Sequence, residues 1–159
     1  SRGLGDVYKR QLQCQSAEWA ANRATPADLV RLDEALKSAA AAVASLNADA
    51  VAEADRTYHL ALAEAAHNAF VAHMTTTVQG LMHKEILFNL GELISVPVAS
   101  RMLLDQWNAI VDAVRQQNPG AARQAAATHA GFFRETLNQA QRAQARRDTA
   151  ERRMAANSY

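Results

Sequence analysis

The sequence predicts an all-α protein, an antiparallel bundle of about six helices, and three observations carry that prediction. Half of the 159 residues are hydrophobic, yet only 6% are aromatic, and the chain holds just six glycines and three prolines. Such a composition favours helices packed closely on small side chains and leaves little material for β-turns. Apolar residues recur at three- and four-residue spacing, and no stretch alternates as a half-buried strand does. Cap signals divide these periodic stretches, and the short connections imply antiparallel neighbours.

The N-terminal stretch "SRGLGDVYKRQ" has no initiator Met, two glycines in its first five residues and no helical period. It is similar to a translated adapter. Residues 1–11 are therefore expected to be a non-native scar or a disordered tail, the natural protein beginning upstream, and residues 12–159 to form the domain. A short first helix, roughly Gln13 to Asn22, ends before "RATPADL". There Thr25 can act as N-cap, Pro26 takes the first helical position and Asp28 lies in the first turn. That second helix runs to about Ser45. "LNAD" restarts a third through Ala66, and Asn68 caps a fourth, Ala69 to about Leu90, with Phe70, Met74, Val78 and Leu81 on one side. "SVPVAS" starts the fifth, which stops at "QNPG". The sixth begins at Pro119 or just after it and continues past Leu137 into "AQARRDTAERRM".

The formal charge of +1 gives no general field for nucleic acid or membrane. No apolar run approaches the ~20 residues needed to span a bilayer, and a signal peptide is not recognisable. The single Cys14 excludes a disulfide framework within the chain and fits a reducing compartment, so a cytoplasmic location is expected. The arginines at 142, 146, 147, 152 and 153 are interspersed with Asp148 and Glu151. They read as a solvated helix end whose cations complement the macrodipole.

The chemistry concentrates in "EADRTYHLALAEAAHN", residues 53–68. Stepping 100° per residue, Ala54, Tyr58, Ala61, Leu62 and Ala65 define an apolar arc. Asp55 falls inside it and His59 at its edge, while Glu53, Arg56, Glu64 and His67 point the other way. A carboxylate is rarely buried without a partner. Candidate partners come from the sixth helix, where His129 lies near the centre of the arc made by Ala122, Ala125, Ala126, Phe132, Phe133 and Leu137. In the fifth helix Trp107 lies within the arc of Leu103, Ile110, Val111 and Val114. Asp55, His59 and His129 could converge as three nitrogen and carboxylate ligands suited to zinc, nickel, manganese or iron. The competing reading is a hydrogen-bonded structural core. Glu64 and His67 form an E-x-x-H, but both point outward and the second copy that a di-iron bundle needs is absent. His83 is either a surface residue or the lining of a pocket.

These residues carry a resemblance. "ADRTYHLALAEAAHNAFVAHM" resembles the D-x-x-F-H-x-x-L-A-x-A-A-x-N segment of the FadR C-terminal domain, the effector-sensing half of one branch of the GntR-type bacterial transcription regulators. "RATPADLVRLDEAL" resembles its second helix, and "WNAIVDAVRQQNPGAARQAAATHAGFF" is similar to its closing pair. The matched segments run in order from about Leu12 to Leu137. The resemblance implies an all-helical domain that dimerises and holds a small carboxylate-bearing metabolite, in many members through a divalent metal bound by one aspartate and three histidines. Asp55, His59 and His129 match three of those ligands. The fourth falls where this chain has Trp107, whose indole has no lone pair to offer a metal. The family's DNA-binding part is an N-terminal winged helix-turn-helix, which these residues do not contain.

The expected function is therefore effector sensing and dimerisation, with Trp107, His83, Asp55, His59 and His129 as ligand-binding candidates and DNA contacted only through the absent N-terminal domain. Binding would shift the population of dimer arrangements. Leu60, opposite the arc of its helix, and Ile86, Leu87 and Leu90 are expected to supply the homodimer surface. A metal-dependent enzyme using the same three ligands would need a general base that is not visible beside them. A helical interaction domain with a purely structural polar core is the third reading.

Overall fold

A computed structural model describes residues 2–158. The described residues form seven helices and no strand: α1 (Arg2–Arg23), α2 (Pro26–Ala44), α3 (Ala48–Ala65), α4 (Ala69–Leu81), α5 (His83–Leu93), α6 (Pro97–Arg115) and α7 (Pro119–Ala156). No helix among them is long and apolar enough to cross a membrane. Helix α3 is central, packing against α1, α2, α4 and α5; α7 closes the bundle against α1, α5 and α6. Close packing rests on alanine: Ala17, Ala20, Ala39, Ala63, Ala65, Ala66 and Ala122 are fully buried, which lets backbones approach.

Thr25 and Asn68 cap the helices that the sequence assigns to them, and Asn47 and Asn118 cap two more. Thr25, Asn47, Asn68 and Asn118 each accept a hydrogen bond from a backbone N–H in the first turn that follows. Three helices end with a non-glycine residue in the left-handed region: Leu46 (φ 56°), His67 (φ 50°) and Gln117 (φ 55°). Each stands just past the last helical turn, where a positive φ closes the helix.

Four expectations about helix bounds and faces are corrected. Residues 2–11 are helical and continue into the first expected helix, and Lys9 is buried with its ammonium 3.9 Å from the Phe133 ring centre. The fourth helix is two helices, because the chain breaks at Met82, just after the β-branched run Thr75–Val78 and Gly80, all poor helix formers. Its inner face is Val71, Thr75, Val78 and Gln79, leaving Phe70 and Leu81 exposed. The expected stripe through Phe70 and Met74 lies one residue, or 100°, away from that face, a shift that periodicity alone does not resolve when both stripes carry apolar residues. The break also turns Ile86 and Leu90 into the core, while Leu60 and Leu87 are half-buried, so these four do not form an exposed patch.

The N-terminus of α2 is tied to the α3–α4 turn through Asp28, which is buried. Its Oδ2 accepts the Thr25 N–H at 2.8 Å and lies 2.6 Å from His67 Nε2; Arg31 pairs with its Oδ1; and the Thr25 hydroxyl accepts the Asp28 N–H at 3.2 Å. Burial works to raise the Asp28 pKa, but the hydrogen bonds from Thr25, His67 and Arg31 outweigh it and hold the carboxyl well below the usual carboxylate range. A depressed carboxylate pKa contributes stability above the unfolded value of about 4 and loses it as pH falls below that value. Thr25→Ala should cost about 1 kcal/mol and Asp28→Ala about 2 kcal/mol in urea unfolding. Asp28→Asn should flatten the loss of stability between about pH 4 and 2 relative to the parent.

Candidate ligand-binding site

Four of the five candidate residues meet in the core. Asp55 and His59 lie one turn apart on the inner face of α3, Trp107 halfway along α6, and His129 in the third turn of α7. All four are buried, Trp107 completely. His59 and His129 stack with ring centres 6.0 Å apart, and the Trp107 indole stands edge-on to His59 at 6.4 Å. Tyr58 stacks on Trp107 at 5.1 Å and donates its hydroxyl to the Trp107 carbonyl at 3.4 Å, fixing the indole between α3 and α7. His83, the first residue of α5, is exposed, and no hydrogen bond, ion pair or ring contact joins it to the cluster.

The hydrogen bonds divide the cluster into a satisfied half and an unsatisfied half. The Trp107 Nε1–H donates to His129 Nε2 at 3.3 Å, and His129 Nδ1 lies 2.9 Å from Gln106 Oε1. An acceptor at Nε2 requires the hydrogen on Nδ1, where it serves Gln106; the partners therefore assign the tautomer. Burial, with help from the neighbouring His59, pushes the His129 pKa down to about 3, so the ring is neutral at ordinary pH. On the other side, His59 Nε2 and Asp55 Oδ1 are 3.2 Å apart, an ion-pair distance but off the direction of a hydrogen bond. Both oxygens of Asp55 and both ring nitrogens of His59 lack a hydrogen-bond partner. Burial works to raise the Asp55 pKa, yet the pull of His59, and then of Lys9, keeps it below its ordinary value.

Three ligands can hold a divalent metal only if each turns a free lone pair to one point. Both nitrogens of His129 are engaged, and among the described residues no group of three His, Cys, Asp or Glu is arranged to hold a metal ion. The side chains as placed do not fit the ligand set.

Gln106 and Tyr58 were not legible as site residues: Gln106 follows no chemical motif, and Tyr58 reads as one more apolar-arc residue. Phe133, whose ring centre is 6.0 Å from that of His129, also lines a cleft of about 370 Å³ between α1 and α7. Lys9, Gln13, Arg123 and Arg134 line the same cleft.

An all-helical bundle built round a buried carboxylate, two imidazoles and an indole is the class these features define. The chain belongs to the FCD domain family, whose model matches residues 8–132. The family is found in GntR-type transcription regulators, which are not enzymes. A regulatory protein attributed to the L-lactate dehydrogenase operon of Escherichia coli (strain K12) is 28% identical over 135 residues, covering 85% of this chain and 51% of that protein. The galactonate operon transcriptional repressor of the same organism is 32% identical over 115 residues, 70% of this chain and 47% of that protein. The chain thus spans about half the length of the curated relatives it matches. Among solved structures, E. coli McbR/YncC superposes with a TM-score of 0.74 at 17% identity, covering 86% of this chain and 64% of the other, a likeness of fold.

Trp107→Phe removes the donor to His129 and keeps an aromatic ring in place. Leaving Nε2 buried and unpaired should cost about 2 kcal/mol in chemical unfolding. Trp107→Ala should cost about 4 kcal/mol, because it also opens a cavity.

Proposed function

We propose that this domain senses a small organic acid in its core and passes the bound state to a dimer. The observation that carries the reading is Asp55: a carboxylate 1% exposed, with His59 at 3.2 Å and neither oxygen hydrogen-bonded. A native core rarely leaves such groups unanswered, and a bound ligand with donor groups would answer them. The relatives named for the L-lactate and galactonate operons point to the ligand class, since both acids carry a hydroxyl beside the carboxylate. We therefore assign Asp55, His59, Trp107 and His129 to the ligand site and leave His83 outside it. The domain proper is residues 12–159, with residues 1–11 foreign to it, and the protein works in the cytoplasm.

Sensing requires that the ligand bind one dimer arrangement better than another. The exposed Phe70 (70%) and Leu81 (78%) on α4 are apolar surface suited to a second copy. In a full-length regulator the dimer arrangement would set the spacing of two DNA-binding heads carried by a separate domain.

Calorimetric titration of the purified chain with lactate, galactonate and other short hydroxy acids tests the reading. At least one should bind with submillimolar affinity in the parent and with at least tenfold weaker affinity in Asp55→Ala. No binding across such a panel removes the proposal. Light scattering at micromolar concentration should give twice the monomer mass, and a monomer across the concentration series would refute the dimer. A chain beginning at Leu12 should keep a single cooperative thermal transition, because Ala17, Ala20 and Ala21 still bury the rest of α1; a loss of cooperativity would place residues 1–11 inside the domain.

A further inference from the structure

We propose that Trp107 makes this site independent of metal. Its indole N–H occupies the lone pair of His129, and Asp55 with His59 takes the hydroxyl groups of a hydroxy acid directly. The inference rests on the sensing role just proposed and adds how the acid is held.

The first half follows from the lone pairs. A neutral imidazole has one nitrogen free for a metal, and in His129 that nitrogen is Nε2, 3.3 Å from the indole donor. Moving the proton to Nε2 would set an N–H against the indole N–H and a lone pair against the Gln106 oxygen, and turning the ring over would set C–H groups there, so either change loses both hydrogen bonds. Moving the indole away is no easier: Trp107 is fully buried and stacked on Tyr58 at 5.1 Å. His129 is thereby withdrawn from the ligand set, and Asp55 with His59 supplies only two groups.

The second half follows from what remains. Seven buried side-chain polar atoms among the described residues have no hydrogen-bond partner, and four of them belong to Asp55 and His59, so the unmet demand is concentrated here. The Asp55 carboxylate, with neither oxygen hydrogen-bonded, accepts O–H donors in strong, charge-assisted bonds and repels the carboxylate of an incoming acid. The acid therefore enters hydroxyl first. Its own carboxylate is left on the side of Phe133, where the α1–α7 cleft is lined by Arg123 and Arg134. Lys9 and Arg10 also line the cleft, but they belong to the segment assigned above as foreign, so the orientation is argued from the other two arginines.

The test uses chelator-stripped protein and two titrations. With zinc and then nickel alone, calorimetry on the parent should show no stoichiometric site at micromolar affinity, and Trp107→His should bind at least tenfold more tightly than the parent. One equivalent bound by the parent at micromolar affinity or better, and lost in His129→Ala, overturns the inference. Should Trp107→His fail to fold, the nitrogen chemical shift of His129 Nε2 in the parent decides: unchanged by zinc it supports the inference, and a zinc-dependent shift overturns it. With gluconate as probe in excess chelator, the unfolding midpoint of the parent should rise, and hexanoate, which lacks the hydroxyls, should leave it unmoved. A rise seen only after zinc is added overturns metal independence while leaving the sensing role intact. If gluconate gives no rise with or without zinc, while lactate or galactonate binds, the hydroxyl-first half is overturned and the sensing role stands. If none of these acids binds, the hydroxyl-first half falls together with the sensing role, and the metal titration alone judges Trp107.

Discussion

One buried charge organises this protein. An ionised carboxylate costs several kcal/mol to take out of water, and attraction to a partner repays it only with good geometry. Asp55 has His59 at 3.2 Å, without the alignment of a hydrogen bond. A core designed only for stability would place an apolar residue there, since replacing buried charges by well-packed hydrophobic groups is often neutral or stabilising. The sensing role proposed above accounts for the charge by what it would bind rather than by what it holds together.

The scaffold makes that charge tolerable by fixing everything around it. Alanine on the inner faces of α1, α2, α3 and α7 brings those helices close, so the few large side chains are confined to the centre. There Tyr58, Trp107, His129 and Gln106 form a continuous chain of stacking and hydrogen bonds from α3 through α6 to α7. The Tyr58 hydroxyl, the Trp107 indole N–H and both His129 nitrogens each meet a partner in this chain or on the backbone, which is the condition under which a polar network makes a core rigid rather than loosening it. The site thus joins a stiff wall, Trp107–His129–Gln106, to an unsatisfied pair, Asp55–His59. The second anchor, Asp28 with His67, works apart from it at the end of α3 and holds the helix whose middle carries Asp55.

Much of this could be read from residue order, because caps and burial are local signals. Thr25, Asn47, Asn68 and Asn118 each combine a side-chain acceptor with a following helical period, and Asp55, His59, Trp107 and His129 each break an otherwise apolar stripe. What escaped depends on neighbours. Val71 and Phe70 are equally apolar, and only packing against α1 and α3 decides which turns inward. Gln106 gains its role solely because His129 arrives from α7. Residues 2–11 have weak helical periodicity but no strong breaker, so a helix already nucleated downstream can extend through them.

The geometry of α7 says how a small ligand could matter at a distance. His129 is near the start of a 38-residue helix, and about 40 Å of that helix lies beyond it at 1.5 Å per residue. A rigid rod pivoting at His129 by about 5° would move its far end by roughly 3.5 Å, more than the length of a hydrogen bond. The Arg147–Glu92 pair, at 3.2 Å, couples that outer stretch to α5, so a pivot would either carry α5 with it or break the pair. One face of α7 is buried as far as Ala140, and only the stretch beyond it is largely exposed. A ligand that draws Asp55 and His59 toward itself acts on the face of α3 against which His129 stacks, at the short end of this lever. Under the proposed sensing role, the helix that carries His129 is thus also the element able to enlarge a sub-ångström change there into a displacement that a second copy would register.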